Sequence, residues 1–335
     1  MKRIAHIILV GFVCLVPFLV SSCEKTLDID EPADRELVLN AVPAAGRQPF
    51  VHFAYTRFFL DDNNDQPVPG AQLTLYVNDT VRPLVGMVNS LFYFADTLRP
   101  DDRLRIDIQA DGRSVHAETY VPLYPAVSSF TPFYFASETF NFVATNFYLD
   151  DHAGRDEYYN ITVTVRDSGA RFNEWLGRLD TVDTVHTAMF TVPNSPDITD
   201  GDVAVYSPLG GRLMFLDRRI DGQHYQVPLW IILLKDTTEV APFKHYYTVD
   251  VESITPARWN YILSASSQNS MTSFFAEQGR VFSNVNGALG IFAGSAKRRY
   301  QFDLATVPGF PASAPPPEVE QAAKQMCGYL SDTKQ

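Results

Sequence analysis

Cysteine is nearly absent: Cys14, Cys23 and Cys327 are the only three in 335 residues. Neither a disulfide framework nor a thiolate metal cluster can be built from them. Histidine is sparse too, and the seven present are scattered, with no pair at metal-ligand spacing and no H-E-x-x-H. Also missing are G-x-S-x-G, which a nucleophile elbow needs, G-x-x-x-x-G-K, which cradles phosphate, and C-x-x-C. Cations are in deficit, with 27 Lys and Arg against 39 Asp and Glu, a formal net charge of -12. A chain this acidic repels nucleic acid and anionic headgroups, so neither is expected as a partner. These absences predict a non-catalytic protein with no cofactor and no metal. Two distant carboxylates acting as acid and base stay open, because 39 acids offer many pairs.

One long apolar run exists, from Ile4 to Val20 after Lys2-Arg3. A basic start, an apolar middle and small residues at Ser21-Ser22 make the layout of a secretory signal peptide. Pro17 interrupts the run and acids follow it, unlike a permanent span of about 20 unbroken apolar residues. Val20-Ser21-Ser22-Cys23 resembles a bacterial lipobox, in which Cys23 takes a lipid by thioether and becomes the first residue. An ordinary signal peptide with an incidental cysteine is the plainer alternative. The lipobox reading predicts cleavage of residues 1–22 and a lipid-anchored tether over 23–35. It makes the chain a lipid-anchored membrane protein, and the acids soon after Cys23 resemble surface-export signals of bacterial lipoproteins. Loss of Lys2 and Arg3 takes the net charge from -12 to -14.

The body reads as β structure, with aromatics at 13% and alternating apolar residues. Leu104, Ile106, Ile108 and Ala110 alternate with polar neighbours, Asp111-Gly112 supplies a two-residue turn, and Val115, Ala117 and Thr119 run back. Strands near 37–42, 51–59, 71–77 and 91–95 bring the count to six or seven, which predicts an immunoglobulin-like β-sandwich over 36–121. Val121-Pro122-Leu123-Tyr124-Pro125 reads as a stiff linker. A second β-rich domain is expected over 126–305. Its strands fall near 140–149, 157–166, 227–234 and 247–251. One or two short helices are expected, one starting at Thr255-Pro256 and another over 271–278. The glycine-rich stretch 283–294 should bend into a closing strand. Residues 306–335 form a proline-rich tail in which a short helix is possible. The expected fold class is therefore mostly β, two β-rich domains with short helices in the second.

Candidate chemistry is thin. Asp61, Asn63 and Asp65 alternate as in the first half of a calcium loop. Gln66-Pro67 then stands where a glycine is wanted, so a solvated hairpin loop is the simpler reading. Phe58-Phe59 and Phe133-Tyr134-Phe135 could present rings to a sugar or a protein, or complete the core and its edge. His152 lies in the polar loop 150–156 and reads as a solvated residue. Asp79-Thr80-Val81, Asp96-Thr97-Leu98, Asp180-Thr181-Val182, Asp183-Thr184-Val185 and Asp236-Thr237-Thr238 resemble Asp-Ser/Thr-aliphatic O-glycosylation sites, though Asp and Thr also favour turns.

Several blocks also resemble a known family. They are Cys23 with Glu24-Lys25 and Leu27-Asp28-Ile29-Asp30; Glu36-Leu37-Val38-Leu39-Asn40; Pro69-Gly70-Ala71-Gln72-Leu73-Thr74-Leu75; Glu157-Tyr158-Tyr159; and Ser283-Asn284-Val285 with Gly287-Ala288-Leu289-Gly290-Ile291-Phe292. In that order they are similar to the Bacteroidota lipoproteins catalogued as domain of unknown function 4249. The resemblance implies a surface or periplasmic lipoprotein linked with a TonB-dependent transporter, and it carries no catalytic residues. A surface glycan-binding module or hydrolase acting independently is the alternative.

Overall fold

The computed structural model describes residues 35–56, 67–136, 141–173, 175–200, 204–207, 210–234, 239–268 and 280–310. Cys23, Cys327, the Asp61–Asp65 loop, Phe58-Phe59, Asp236-Thr237-Thr238 and the helix expected over 271–278 lie outside them. Clustering of contacts sets 1–35 with 57–62 apart as one unit, and the fold below belongs to the other, 36–56 with 63–335.

The fold is mostly β. Eight strands lie in the first stretch: β1 Leu37–Ala41, β2 Phe50–Tyr55, β3 Gln72–Val77, β4 Thr80–Arg82, β5 Leu84–Val88, β6 Leu91–Phe94, β7 Arg103–Ala110 and β8 Arg113–Tyr120. They form a sheet ordered β4-β3-β7-β8 and part of a five-stranded sheet. The β7–β8 turn is the expected one, with Asp111 at φ 53° and Gly112 at φ 68°. Alternation sends Leu104, Ile106, Ile108, Val115 and Ala117 into one core with Leu37, Leu39, Phe53 and Phe94 of the other sheet. The extra strands, β4 and β5, show no period of two. All five residues of β5 are exposed, so neither face selects for apolar residues.

The five-stranded sheet is completed from the far end of the chain. β18 Leu289–Phe292 pairs parallel with β1, Val38 opposite Leu289, giving the order β18-β1-β2-β6-β5. Sequence order places this segment with the second domain; it packs in the first core, to which Val285, Phe292 and Ala296 contribute. Glycine allows the approach. A Cβ on Gly290, at φ 109°, would stand 2.1 Å from the Leu39 carbonyl, and one on Gly294 would stand 1.8 Å from that of Tyr120. Asn284 clamps the turn, its Nδ2 donating to the Phe292 carbonyl (2.8 Å) and its Oδ1 accepting from the Phe292 N–H (2.9 Å).

The second β-rich part has strands β9 Val127–Ala136, β10 Asn141–Asp150, β11 Tyr158–Asn173, β12 Arg178–Thr187, β13 Phe190–Thr191, β14 Ala204–Ser207, β15 Arg212–Leu216, β16 His224–Leu233, β17 Glu239–Ile254 and β19 Ser295–Asp303. One sheet runs β13-β16-β10-β9; the other runs β14-β15-β11-β17-β19, with β12 also on β11. Phe147, Leu149, Val227, Leu229 and Ile231 of the first meet Tyr159, Ile161, Val163, Val249 and Val251 of the second in one core. Phe133-Tyr134-Phe135 belongs to β9 rather than to a loop. Phe135 stacks on Phe142 (5.0 Å) and meets Trp230 edge-on (4.9 Å), Tyr134 meets Phe310 (5.3 Å), and Phe133 stays 41% exposed.

Two α-helices are described, the single turn α1 Pro196–Thr199 and α2 Pro256–Gln268. Pro256 opens α2 as the sequence predicts, and the Trp259 N–H donates to the Thr255 carbonyl (3.0 Å). Trp259, Ile262 and Leu263 cover Met214, Leu216 and Ile254, and Arg258 pairs with the buried Glu252 (2.9 Å). Among the described residues no helix is long and apolar enough to cross a membrane.

Candidate functional site

β10 ends at Asp150, and the polar residues before β11 form a tight loop against the turn between β15 and β16. That turn includes a single 3-10 turn, Asp217–Arg219. Three carboxylates lace the two segments, each accepting a backbone N–H: Asp151 from Gly222 (2.9 Å), Asp221 from Gly154 (2.7 Å) and Asp217 from Glu157 (2.7 Å). Oxygens of all three acids lie within 4.8 Å of one another. Such an oxygen set suits a hard cation. The three N–H bonds account for the clustering without one.

Crowding sets the protonation here. Burial first, then the neighbouring Asp151, Glu157 and Asp156, pushes Asp217 up to about 6, against the pull of the Glu157 N–H. Burial likewise raises Asp151. The Tyr159 hydroxyl reaches both Asp151 Oδ1 (2.9 Å) and Glu157 Oε2. One hydroxyl hydrogen cannot serve two acceptors at once, so the Tyr159 hydroxyl is shared between the two carboxylates. Burial and the two acids keep the Tyr159 phenol protonated. His152 pairs with Glu157 (3.1 Å) at 43% side-chain exposure, while His224 pairs with Asp150 and stacks on Tyr148.

Beside this loop lies a cleft of about 310 Å³ lined by Asp101, Tyr120, Arg155, Glu157, Tyr158 and Ser253, among others. A larger depression of about 800 Å³ adjoins it, sharing Asp101, Tyr120 and Arg155 and adding Tyr76, Arg103, Arg105 and Glu118. Burial raises the Tyr120 phenol. Arg105 lies 4.0 Å over the Tyr76 ring. Guanidinium donors, carboxylate acceptors and ring faces converge on one open groove, a lining that suits recognition of a polar ligand.

The polar loop 150–157 was legible as such, but Tyr120 and Arg155 carry no signal in the sequence beyond their positions at a strand end and in a turn. A second feature passed unmarked. The last ten residues of β11 pair with β12 from Thr164 opposite Thr187 to Asn173 opposite Arg178, and none of the described residues from 166 to 187 belongs to the hydrophobic core. The signal available was Asn173 followed by Gly177, a turn between two polar alternating stretches. Thr80, Thr97, Thr181 and Thr184 of the Asp-Thr sites are all exposed.

A search of curated proteins finds no significant match. Among solved structures the chain is similar to bovine butyrophilin, at 7% identity over 65% of this chain and 92% of that one, TM-score 0.19. It is similar to the collagen adhesin CNA from S. aureus, at 7% identity over 80% and 94%, TM-score 0.20. The Enterococcus faecalis MSCRAMM ACE gives 8% over 80% and 93%, TM-score 0.22. The family described as Domain of unknown function (DUF4249) matches residues 24–301, most of the length, and the chain belongs to that family.

Proposed function

We propose that this chain is an outer-membrane-anchored lipoprotein that binds rather than breaks bonds, serving a TonB-dependent transport or outer-membrane assembly system. The observation that carries the reading is Val20-Ser21-Ser22-Cys23 at the end of the apolar run, with acids directly after it. Acyl chains on Cys23 hold the protein at the membrane, since each buried CH2 contributes about 0.8 kcal/mol. The open groove at Tyr120 and Arg155 then faces a ligand or a partner with donors, acceptors and rings. Its mixture of tyrosine faces and carboxylates also favours a second reading, a surface glycan-binding module working alone.

Growth of the native host with an alkyne-tagged fatty acid tests the anchor. Label should enter the wild-type chain and be lost in Cys23→Ser, which should also leave washed membranes. Label in Cys23→Ser, or its retention on washed membranes, defeats the anchor. Pull-down of the lipidated protein from native membranes tests the rest, with a barrel transporter expected alongside it. Recovery of the chain alone, with binding to an oligosaccharide array, would move the assignment to the second reading.

A further inference from the structure

β11 continues for about eight residues past its last core residue, Val165, a reach of about 25 Å at the usual strand rise, with β12 along one edge throughout and β17 along the other as far as Arg171. At its end Trp175 is 98% exposed and Leu176 59%. Tryptophan in that position discards a large apolar area unless something covers it. The turn that carries it is pre-built. Asn173 Oδ1 accepts the N–H groups of both Trp175 and Leu176 (3.1 Å each), and Gly177 closes the turn at φ 61°. Asn173 Nδ2 donates to Asp180 (2.8 Å), which also pairs with Arg178 (3.0 Å), and Arg166 pairs with Asp183 (2.8 Å).

We infer that this tip is a lipid-contact element, in which Trp175 and Leu176 enter the headgroup–acyl boundary of an electrically neutral bilayer. Three properties select that occupant. Internal bonds to Asn173 already satisfy the backbone N–H groups of Trp175 and Leu176, so these two donors keep their partners on leaving water. One Trp and one Leu offer about 300–400 Å², well short of the roughly 800 Å² per partner of a stable protein interface. From 166 to 186 three arginines face four acids, two of them in the ion pairs above, so no basic excess draws the arm to anionic lipid. The inference rests on the proposed anchor, yet the contact itself is tested without lipid on the chain.

Residues 23–335 carrying Cys23→Ser are mixed with phosphatidylcholine vesicles, with and without brominated acyl chains, and tryptophan emission is read. Trp175 stands in water, whereas Trp259 is buried and Trp230 half-buried. Blue-shifted emission and quenching by the brominated vesicles are expected. Adding Trp175→Ala should abolish the quenching and weaken vesicle binding at least tenfold, with the thermal melt unchanged. Quenching that survives Trp175→Ala, no quenching at all, or binding only to vesicles containing phosphatidylglycerol would overturn the inference. Fatty-acid labelling of Cys23 is read separately, so failure of the anchor and failure of the tip are distinguishable.

Discussion

At the residue scale, Asp217 shows how crowding converts an acid into a pH sensor. The residue is 2% exposed, and its carboxyl is held up to about 6, above the ordinary value of 3.8, by burial and by the acids around it. A carboxyl with a raised folded pKa adds most stability below its unfolded pKa, and the contribution disappears as pH rises through about 6. Asp217→Asn keeps an oxygen to accept the Glu157 N–H but removes the charge. It should therefore stabilise the protein by about 1–2 kcal/mol at pH 7.5, with the gain vanishing near pH 4. Thermal melts of both proteins from pH 4 to pH 8 check this. A destabilised variant at pH 7.5 would mean that the negative charge is needed, as it would be for a bound cation. Asp250 responds in the opposite sense. Burial raises it, but Arg299 (2.8 Å) and Lys297 (3.1 Å) outweigh that and hold it low, so its contribution is present above the usual carboxylate range and is lost in acid.

At the element scale, a cluster of ion pairs joins β17 to the arm. His245 of β17 faces Asp167 through Nδ1 (2.8 Å) and Glu239 through Nε2 (3.1 Å). Arg171 lies 3.9 Å from Asp167 and 3.7 Å from Glu239, His186 lies 3.8 Å from Asp167, and Phe243 packs beside the ring. Burial lowers the His245 pKa, yet the two carboxylates outweigh it and the net direction is up. Only the imidazolium donates to both acids. That stabilisation is full below the ordinary histidine value of 6.5 and is lost as pH rises through the folded pKa. Amides of 165–167 and 244–246 should exchange hydrogen faster at pH 8.5 than at pH 6 after correction for intrinsic rates. His245→Asn should flatten that difference, and an unaltered slope in the variant would remove His245 as its cause.

Which elements were legible follows from where their pattern is enforced. β7, β8, β11 and β16 bury side chains, so alternation or a continuous apolar run is written into them. Pro256 marked α2 by the same local logic. No residue of β12 is buried, so Asp-Thr-Val-Asp-Thr-Val, which repeats every three residues, has no period of two to mark a strand and reads as a turn or modification sequence. β18 was expected as a closing strand, but its parallel partner lies some 250 residues earlier, a pairing no local pattern encodes. The site divides in the same way. Loop 150–157 announces itself by composition, whereas the acids that meet it, Asp217 and Asp221, arrive from another strand pair.

At the scale of the whole molecule, the return of 283–303 ties the two β-rich parts into one folding problem. β18 and Val285, Phe292 and Ala296 finish the first core, while β19 pairs along β17 from Ser295 opposite Ile254 to Asp303 opposite Tyr246. Fully burying a large apolar side chain contributes about 1.5–3 kcal/mol, so Ile291, Phe292 and Val285 together supply roughly 5 kcal/mol or more. A domain's entire stability is about 5–15 kcal/mol. Residues 36–125, which resemble a sandwich able to stand alone, should therefore fail to fold. Their far-ultraviolet circular dichroism should lack a cooperative melt, and separate addition of 280–310 should restore one. The intact chain should unfold in a single transition by both near-ultraviolet dichroism and calorimetry. A cooperative melt of 36–125 by itself would show that the closing strand decorates the first sandwich rather than completing it.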